Sequence, residues 1–251
     1  MEKIIMKKLF IIIFLLLAIS LYLYLANAYA YYMFRRVGLK APTVQNSYVF
    51  NGAAAGDNLT YAAIGDSLTS GMGLNKYEEA FPYLLAEDLS EKGRVTLQNF
   101  SYPGYRTDDL IKNLLEPAIA ARPQIITLLI GTNDVHGFYG REKFTANYKY
   151  ILGRLTKETT AEIYTISLPY IGANAFLPPY NSYFDRQTSD FNNIIKELAE
   201  AYGAKYIDIA EPTKAAFSEK NIYYAADAFH PSAAGQALWE KIIFDNIGSG
   251  R

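Results

Sequence analysis

The chain has 251 residues, of which 51% are hydrophobic and 20% charged, which is typical of one ordered α/β domain and excludes a disordered chain. It contains no cysteine, which excludes disulfide bonds, thiolate zinc sites, a cysteine nucleophile and a lipidated cysteine. The formal net charge is −1, with six basic side chains against one acidic side chain in residues 1–40 and 18 against 24 in the remainder, and such a mildly acidic body argues against nucleic acid as a partner.

The N-terminal segment is strongly apolar. No residue from Leu9 to Phe34 is charged, and about 20 apolar residues suffice for a helix to cross a bilayer. A signal-peptide core is shorter, about 7–15 residues, so the run favours a retained membrane anchor. The alternative is a cleaved signal peptide, because the AxA patterns ending at Ala28 and Ala30 both resemble cleavage sites. Residues 1–36 are therefore predicted to hold the remainder of the chain outside the cytoplasm at the cell membrane, or to direct its secretion if they are removed.

The remainder is predicted to comprise a linker over residues 37–58 and one domain over residues 59–251. Pro, Gly, Ala and Asn occur in the linker without periodicity, whereas strand-like and helix-like segments alternate in the domain. The predicted strands are Tyr61–Ile64, Val95–Phe100, Gln124–Ile130, Glu162–Leu168 and Lys205–Ile209. The predicted helices are Glu78–Lys92 with Gly93 as a left-handed cap, Thr107–Ala121, Arg141–Glu158, Phe184–Tyr202, and a last helix from an N-cap at Ser232 to about Asn246. Such alternation predicts a parallel sheet with helices on both faces and a site beyond the carboxyl ends of its strands.

Three short blocks follow the first three predicted strands. The first is GDSL, where Ser67 becomes a nucleophile if a base removes its proton. The second ends at Gly104, which lacks a Cβ and can bring its backbone N–H close to an anionic oxygen. The third is GTND, where the uncharged side-chain N–H of Asn133 can stabilise an oxyanion. Each block taken alone is more often an ordinary turn or cap.

A fourth block, DAFHP, precedes the last predicted helix. Asp227 lies three residues before His230, so its carboxylate can reach Nδ1 of the imidazole and leave Nε2 free to take a proton. The only other histidine is His136, which lacks an equally spaced separate acid. We therefore interpret His230 as the base and His136 as a loop residue at the rim of the site.

The order GDSL, Gly, GTND and DxxHP resembles the signature of the SGNH (GDSL) hydrolase family, and the resemblance extends over the chain from Tyr61 onward. It implies a flavodoxin-like three-layer α/β/α fold, here with a mainly parallel five-stranded sheet. It also implies a triad of Ser67, His230 and Asp227. The implied oxyanion hole consists of the backbone N–H groups of Ser67 and Gly104 and the side chain of Asn133. Asp134 matches the family block as a supporting residue.

These features predict a serine esterase that needs no metal or cofactor. The sequence has no HExxH, GxxxxGK[ST] or GxGxxG motif, and Ser67 does not lie in a GxSxG motif. The membrane segment and the apolar, tyrosine-rich insertion at residues 169–184 favour a lipid or lysophospholipid acyl ester, although the insertion alternatively caps the sheet edge. One alternative function is removal of O-acetyl groups from cell-wall or surface polysaccharide. Another is a non-catalytic, membrane-tethered binding module.

Overall fold

Six strands form a single sheet in the computed structural model, which describes residues 2–36, 39–52, 58–170, 175–219 and 221–248. The strands are β1 (Ser47–Phe50), β2 (Leu59–Gly65), β3 (Val95–Ser101), β4 (Ile125–Leu129), β5 (Glu162–Ile166) and β6 (Lys205–Ile207). Their spatial order is β1-β3-β2-β4-β5-β6, and every neighbouring pair is parallel except β1 and β3.

The helices pack against this sheet in two groups. They are α1 (Glu2–Arg36), α2 (Phe81–Leu89), α3 (Thr107–Asn113), α4 (Leu115–Ala120), α5 (Thr132–His136), α6 (Arg141–Glu158), α7 (Tyr180–Ala201), α8 (Ala210–Glu219) and α9 (Ala233–Gly248). In one group α9 contacts α2 and α8, and in the other α6 contacts α3, α4 and α7. The predicted three-layer α/β fold is thus confirmed.

The centre of the sheet is made by β2 and β4. All five residues of β4 are buried, as expected of a continuous apolar run covered on both faces. The hydroxyl groups of Tyr61 and Thr127, 2.7 Å apart, satisfy each other in this core. Gly65, the last residue of β2, lies opposite Ser101 of β3 and Leu129 of β4. Because these three strands end together, and β3 and β4 flank β2, the loops that follow them leave the same edge at a topological switch point.

The sheet has six strands instead of the predicted five. The additional strand, β1, comes from the segment predicted to be a linker and pairs antiparallel with β3 at the edge of the sheet. Its four residues alternate between exposed and half-buried, a pattern too short to stand out in a sequence. Residues 37, 38 and 53–57 of the predicted linker lie outside the described residues.

Two predicted helices are interrupted. In the predicted helix Glu78–Lys92, only α2 is α-helical, and a 3-10 turn lies on each side of it. The turn before α2 is separated from it because the backbone of Ala80 is extended (φ −80°, ψ 144°). Gly93 was expected to be a left-handed cap, and this is wrong because its φ is 166°, in the extended region. The second is divided into α3 and α4 at Leu114 (φ −118°). Pro117 explains this break, since it has no N–H to donate one turn back.

Several boundaries also differ from the sequence prediction. The short helix α5 and the helix α8 were not predicted, and α7 begins at Tyr180 instead of Phe184. The last helix agrees with its prediction, since the Gly235 N–H donates to Ser232 Oγ at 3.3 Å, as an N-cap requires. Residues 171–174 of the predicted insertion lie outside the described residues.

Helix α1 is long and apolar enough, by length and composition, to cross a membrane. Its candidate span, Lys3–Tyr29, contains 27 residues and includes an 18-residue window with a mean hydropathy of 2.8. Nearly all described side chains along this segment are exposed, whereas Ala26 is only 1% exposed. The burial of Ala26 shows where along its length α1 contacts the domain.

Candidate active site

Four segments that are distant in sequence meet at the carboxyl edge of β2, β3 and β4. Ser67 lies directly beyond β2, Gly104 beyond β3, and Asn133 in the first turn of α5 after β4, while His230 lies in the loop before α9. All four line one cavity of about 470 Å³. The structure therefore brings together the residues that the sequence singled out.

The turn that carries Ser67 is shaped by the two residues before it. A Cβ on Gly65 would lie 2.1 Å from Thr69 Oγ1 and 2.5 Å from the Leu129 carbonyl oxygen, so only glycine fits at the end of β2. The buried Asp66 then accepts the Leu68 N–H at 3.0 Å through Oδ1. The turn thereby holds the Ser67 hydroxyl at the bottom of the cavity, where the residue is 6% exposed.

Ser67, His230 and Asp227 form a continuous chain of hydrogen-bonding atoms. His230 Nε2 is 3.0 Å from Ser67 Oγ, and His230 Nδ1 is 2.6 Å from Asp227 Oδ2. The second carboxylate oxygen, Oδ1, accepts the backbone N–H groups of Phe229 and His230, both at 3.0 Å. An imidazole in this position can accept the serine proton through Nε2 while Nδ1–H donates to the carboxylate.

The loop that carries Asp227 and His230 is tightly folded. Ala228 has a φ of 56°, in the left-handed region, and its N–H donates to the Ala225 carbonyl at 3.0 Å. The Ala225 N–H in turn donates to the His230 carbonyl at 2.8 Å. This backbone conformation, which costs about 1–2 kcal/mol for a residue with a Cβ, turns the acid and the imidazole towards each other.

Burial alone would raise the pKa of the Asp227 carboxyl. The hydrogen bond and positive charge of His230, together with the backbone N–H groups of Phe229 and His230, outweigh burial and lower this pKa. Asp227 is thus ionised at neutral pH, in the state that fixes the tautomer of the imidazole.

The two candidate oxyanion donors beyond β3 and β4 are held by different means. Gly104 has a φ of 82°, and a Cβ there would meet no atom within 4 Å, so its backbone conformation, not crowding, requires glycine. Asn133 Nδ2 donates to the Tyr105 carbonyl at 3.0 Å and makes a longer contact of 3.4 Å with Asp66 Oδ2. One amide N–H is therefore anchored and the other is weakly bonded at the cavity.

Two further aspartates support this side of the cavity. Asp134 accepts the N–H and the hydroxyl of Thr107, at 3.0 and 2.5 Å, and thereby joins the start of α3 to α5. Burial raises the pKa of Asp134 to about 6, even though Thr107 donates to it. Burial also raises the pKa of Asp66 to about 7, with the negative charge of Asp134 acting in the same direction and the Leu68 N–H opposing it. Asp134 occupies a supporting position, and the contacts of Asp66 were not foreseen from the sequence.

The remaining lining of the cavity is largely aromatic, and this group of side chains is called the aromatic side. Its lining side chains are Phe138, Phe176, Tyr180, Phe184 and Phe229, with Met72 beside them. Three of these belong to the insertion at residues 169–184, which therefore contributes to the cavity. The insertion stood out in the sequence, but the participation of Phe138 and Phe229 did not. Phe138 lies in a loop without a motif, and Phe229 lies within the DAFHP block, where only Asp227 and His230 were assigned roles.

His136 belongs to this aromatic side, and its assignment to a loop at the rim is wrong. It is the last residue of α5, and its ring lies 5.2 Å from Phe176, 4.5 Å from Phe184 and 5.2 Å from Phe229, measured between centroids. Burial lowers the pKa of His136 to about 4, with the charge of His230 acting in the same direction. Its Nε2 is buried and has no hydrogen-bond partner among the described residues. An imidazole in this environment is uncharged at neutral pH.

Helix α1 also reaches the cavity. Asn27 and Tyr31 line it together with Ser67 and His230. No sequence pattern indicated this contact, because the two residues lie towards the end of a segment whose apolar character alone explains its composition. Within the described ranges, no cluster of three or more His, Asp or Glu side chains is arranged to hold a metal ion.

Comparisons with known proteins agree with this architecture. The family model of the GDSL-like lipase/acylhydrolase family matches residues 63–238. The spore germination lipase LipC of Bacillus licheniformis is 30% identical over 207 residues, which cover 73% of this chain and 94% of the relative. An acetylxylan esterase of Geobacillus stearothermophilus is 30% identical over 169 residues, 61% of this chain and 73% of the relative.

Solved structures show the same fold. The crystal structure of Axe2, an acetylxylan esterase from Geobacillus stearothermophilus, superposes with a TM-score of 0.63 at 21% identity, covering 77% of this chain and 95% of that one. An extracellular lipase from Streptomyces rimosus superposes with a TM-score of 0.60 at 17% identity, covering 74% and 99%.

Proposed function

This chain belongs to the GDSL-like lipase/acylhydrolase family and is a carboxylic ester hydrolase, and we propose that it acts through an acyl-enzyme formed on Ser67. The proposal assigns His230 as the general base and Asp227 as the residue that orients it. The observation that carries it is the chain of contacts in which His230 lies 3.0 Å from Ser67 Oγ and 2.6 Å from Asp227 Oδ2. An uncharged serine needs such a base to become a nucleophile.

The reaction proceeds in two halves. His230 Nε2 takes the Ser67 proton as Oγ attacks the ester carbonyl carbon, and the carbonyl oxygen becomes an oxyanion. The oxyanion accepts the backbone N–H groups of Ser67 and Gly104 and the weakly bonded side-chain N–H of Asn133. When the C–O bond breaks, the imidazolium protonates the leaving alcohol. Water then attacks the acyl-enzyme, giving its proton to His230, and the carboxylic acid leaves as Ser67 regains its hydrogen.

The acyl side of the substrate is proposed to be a lipid or lysophospholipid acyl chain. The aromatic side of the cavity supports this assignment, because Phe176, Phe184 and Phe229 offer apolar surface next to Ser67. The relative from Bacillus licheniformis is itself described as a lipase. With a cavity of about 470 Å³, the site has room for more than an acetyl group.

We further propose that α1 anchors the enzyme in the cell membrane, with residues 59–251 as an extracytoplasmic catalytic domain. Its candidate span of 27 residues, which carries Lys3, Lys7 and Lys8 at one end, is long enough for an anchor. External protease added to intact cells should digest the catalytic domain, and protection from the protease would contradict this topology. A mature protein found only in the medium would instead indicate a cleaved signal peptide.

A fluorophosphonate probe tests the assignment of Ser67 directly. The probe should label the wild-type enzyme covalently and fail to label Ser67→Ala, which should also lose hydrolysis of nitrophenyl acetate. Thr69→Ser, a neighbouring change that keeps a hydroxyl, is the control and should be labelled. Labelling or turnover that persists in Ser67→Ala would contradict the assignment, and a wild type that is never labelled would favour a non-catalytic binding module.

A second candidate function is removal of O-acetyl groups from polysaccharide. It is favoured by the similarity to the acetylxylan esterase of Geobacillus stearothermophilus. Nitrophenyl esters of increasing acyl length separate the two: a rate that rises or holds beyond the acetyl ester supports the lipid substrate, and a sharp fall supports deacetylation. Acetylated xylan is then the polymer substrate that tests deacetylation, and lysophosphatidylcholine is the lipid substrate that tests hydrolysis of lipid esters.

A further inference from the structure

The end of helix α1 forms part of the catalytic cavity. Asn27 and Tyr31, one helical turn apart, line the cavity that also contains Ser67 and His230. Ala26, beside Asn27, is 1% exposed, although the described side chains earlier in the helix are mostly exposed. The helix therefore packs against the domain at its last turns and at the catalytic mouth.

Further contacts place the later part of α1, and the segment that follows it, against the loops around the site. Tyr29 borders a second depression together with Tyr224, Ala225 and Ala228, which belong to the loop preceding His230. After the helix, the Lys40 carbonyl accepts the Gly73 N–H at 3.3 Å, in the loop that follows Ser67. The helix end thus lies between the loop of the nucleophile and the loop of the base.

The candidate membrane span ends at the same point. Its last residue is Tyr29, so a bilayer that accommodates Lys3–Tyr29 has its interfacial region next to the residues that line the cavity. The tyrosines at positions 22, 24, 29, 31 and 32 suit that region, where amphipathic rings are favoured. An aromatic cavity that opens at this level is accessible to an acyl chain without transfer of the chain through water.

We propose that α1 is a wall of the acyl-binding cavity as well as an anchor, and that the enzyme takes membrane-resident long-chain esters laterally from the bilayer that holds it. This inference rests on the proposed esterase function. It depends on an uncleaved helix, because cleavage after Ala28 would remove Asn27 from the cavity wall. The mature cellular protein is therefore expected to retain residues 1–28, and an intact mass beginning at residue 29 or 31 would overturn the inference.

Lateral access has a direct test with the full chain reconstituted in phosphatidylcholine vesicles. Nitrophenyl palmitate is dissolved either in the same vesicles as the enzyme or in separate, enzyme-free vesicles. Hydrolysis should be at least about tenfold faster when enzyme and ester share a bilayer, since each methylene that must leave the bilayer costs about 0.8 kcal/mol, or about fourfold. Equal initial rates in the two arrangements would overturn the inference.

Substitutions on two faces of α1 test its role as a wall. Asn27→Trp places a large ring at the cavity, and the ratio of palmitate to acetate hydrolysis should fall on the order of tenfold, as expected when about two methylene groups lose their burial. Leu25→Trp is the matched control, because Leu25 is 55% exposed and does not line the cavity, and its ratio should equal that of the wild type. Equal ratios in both variants would contradict the inference.

Two fluorophosphonate probes distinguish an error in the lateral-access inference from an error in the proposed esterase function. A short, water-soluble fluorophosphonate reports whether Ser67 is a nucleophile at all. If it labels Ser67 in the reconstituted enzyme but a long-alkyl fluorophosphonate in the same bilayer does not, the esterase proposal stands and lateral access is refuted. If neither probe labels Ser67, the esterase proposal itself is wrong and the inference falls with it.

Discussion

The two sides of the catalytic cavity are built by different interactions. On the polar side, Asp66, Asn133 and Asp227 each have identified hydrogen-bond partners, at distances between 2.6 and 3.4 Å. On the aromatic side, Phe176 and Phe184 contact each other and His136 through their rings, with centroids 4.5 to 5.2 Å apart. Hydrogen bonds fix atoms in direction and distance, whereas ring packing fixes mainly volume.

The two sides of the cavity are expected to contribute to different parts of the proposed function. Acyl transfer requires atoms at defined positions, so losses on the polar side should reduce the rate for every ester. Acyl-chain binding requires apolar volume, so changes on the aromatic side should alter which esters are preferred. The two sides are therefore expected to respond differently to substitutions of similar size.

Among the residues that support the nucleophile and the base, the largest effect is expected for the acid of the polar side. Asp227→Asn replaces an acceptor of the His230 Nδ1–H by an amide that can donate to Nδ1 and so favour the wrong tautomer, and kcat/KM for nitrophenyl acetate should fall by about 10⁴-fold. The change is isosteric, and circular dichroism should show a retained fold. Asp245→Asn, on the exposed surface of α9, is the control and should keep full activity. A loss below tenfold in Asp227→Asn would mean that this carboxylate does not orient the base.

A smaller loss is expected at the side-chain oxyanion donor. Asn133→Ala removes one donor, and kcat should fall by about 10²- to 10³-fold. KM should change little, because the interaction strengthens only when charge develops on the carbonyl oxygen.

Asn147→Ala is a matched comparison for Asn133→Ala. Asn147 Nδ2 donates to Thr107 Oγ1 at 2.9 Å, and the residue does not line the cavity. Its kcat should stay within about tenfold of the wild type, since it acts only through the support of a loop. Equal losses in the two variants would show that Asn133 also acts only as a support.

The third prediction concerns stability and pH on the polar side. Because the pKa of Asp66 is raised from 3.8 to about 7, the folded protein holds a proton there that the unfolded chain has released. The favourable contribution of this carboxyl is complete below pH 3.8 and is lost as pH rises towards 7. Asp66→Asn does not titrate, so the free energy of unfolding of the variant relative to the wild type should increase by about 3 kcal/mol between pH 5 and pH 8.

Urea unfolding of the full chain in mild detergent at the two pH values measures this change. Glu197→Gln, on the exposed surface of α7, serves as the control for pH, and its difference from the wild type should be the same at both pH values. A difference for Asp66→Asn that shrinks as pH rises would contradict a protonated, buried Asp66.

The polar side was largely predictable from sequence, whereas the aromatic side was predictable only in its insertion at residues 169–184. Ser67, Gly104, Asn133 and His230 lie in short blocks directly after strands or before a helix, so local patterns identify them. The central strand β4 was equally clear, because a strand buried on both faces is a continuous apolar run. Where chemistry or burial is encoded within a few adjacent residues, the sequence is sufficient.

Other features depend on packing between distant segments. Phe138 and Phe229 come from separate parts of the chain, and no local pattern assigned either ring to the cavity, although Phe229 lies within the DAFHP block. The edge strand β1 and the contact of Asn27 with the cavity are determined by what lies opposite them in the fold. A sequence pattern shows the spacing of apolar residues within a helix or strand, but it does not show which distant segment packs against that element. For this reason these features were not predicted.

The smallest effect is expected for His136, whose imidazole packs among the aromatic rings of the cavity. His136→Phe replaces an uncharged ring by another of similar size, so hydrolysis of nitrophenyl acetate should remain within about tenfold of the wild type. The buried Nε2 has no hydrogen-bond partner among the described residues, and removing such an atom should raise the free energy of unfolding by about 1 kcal/mol. His230→Phe, a matched change on the polar side, should abolish measurable turnover because it removes the base. Urea unfolding and acetate kinetics on both variants measure the contrast, and an inactive His136→Phe would mean that this ring takes part in the chemistry and that the two sides are not separate.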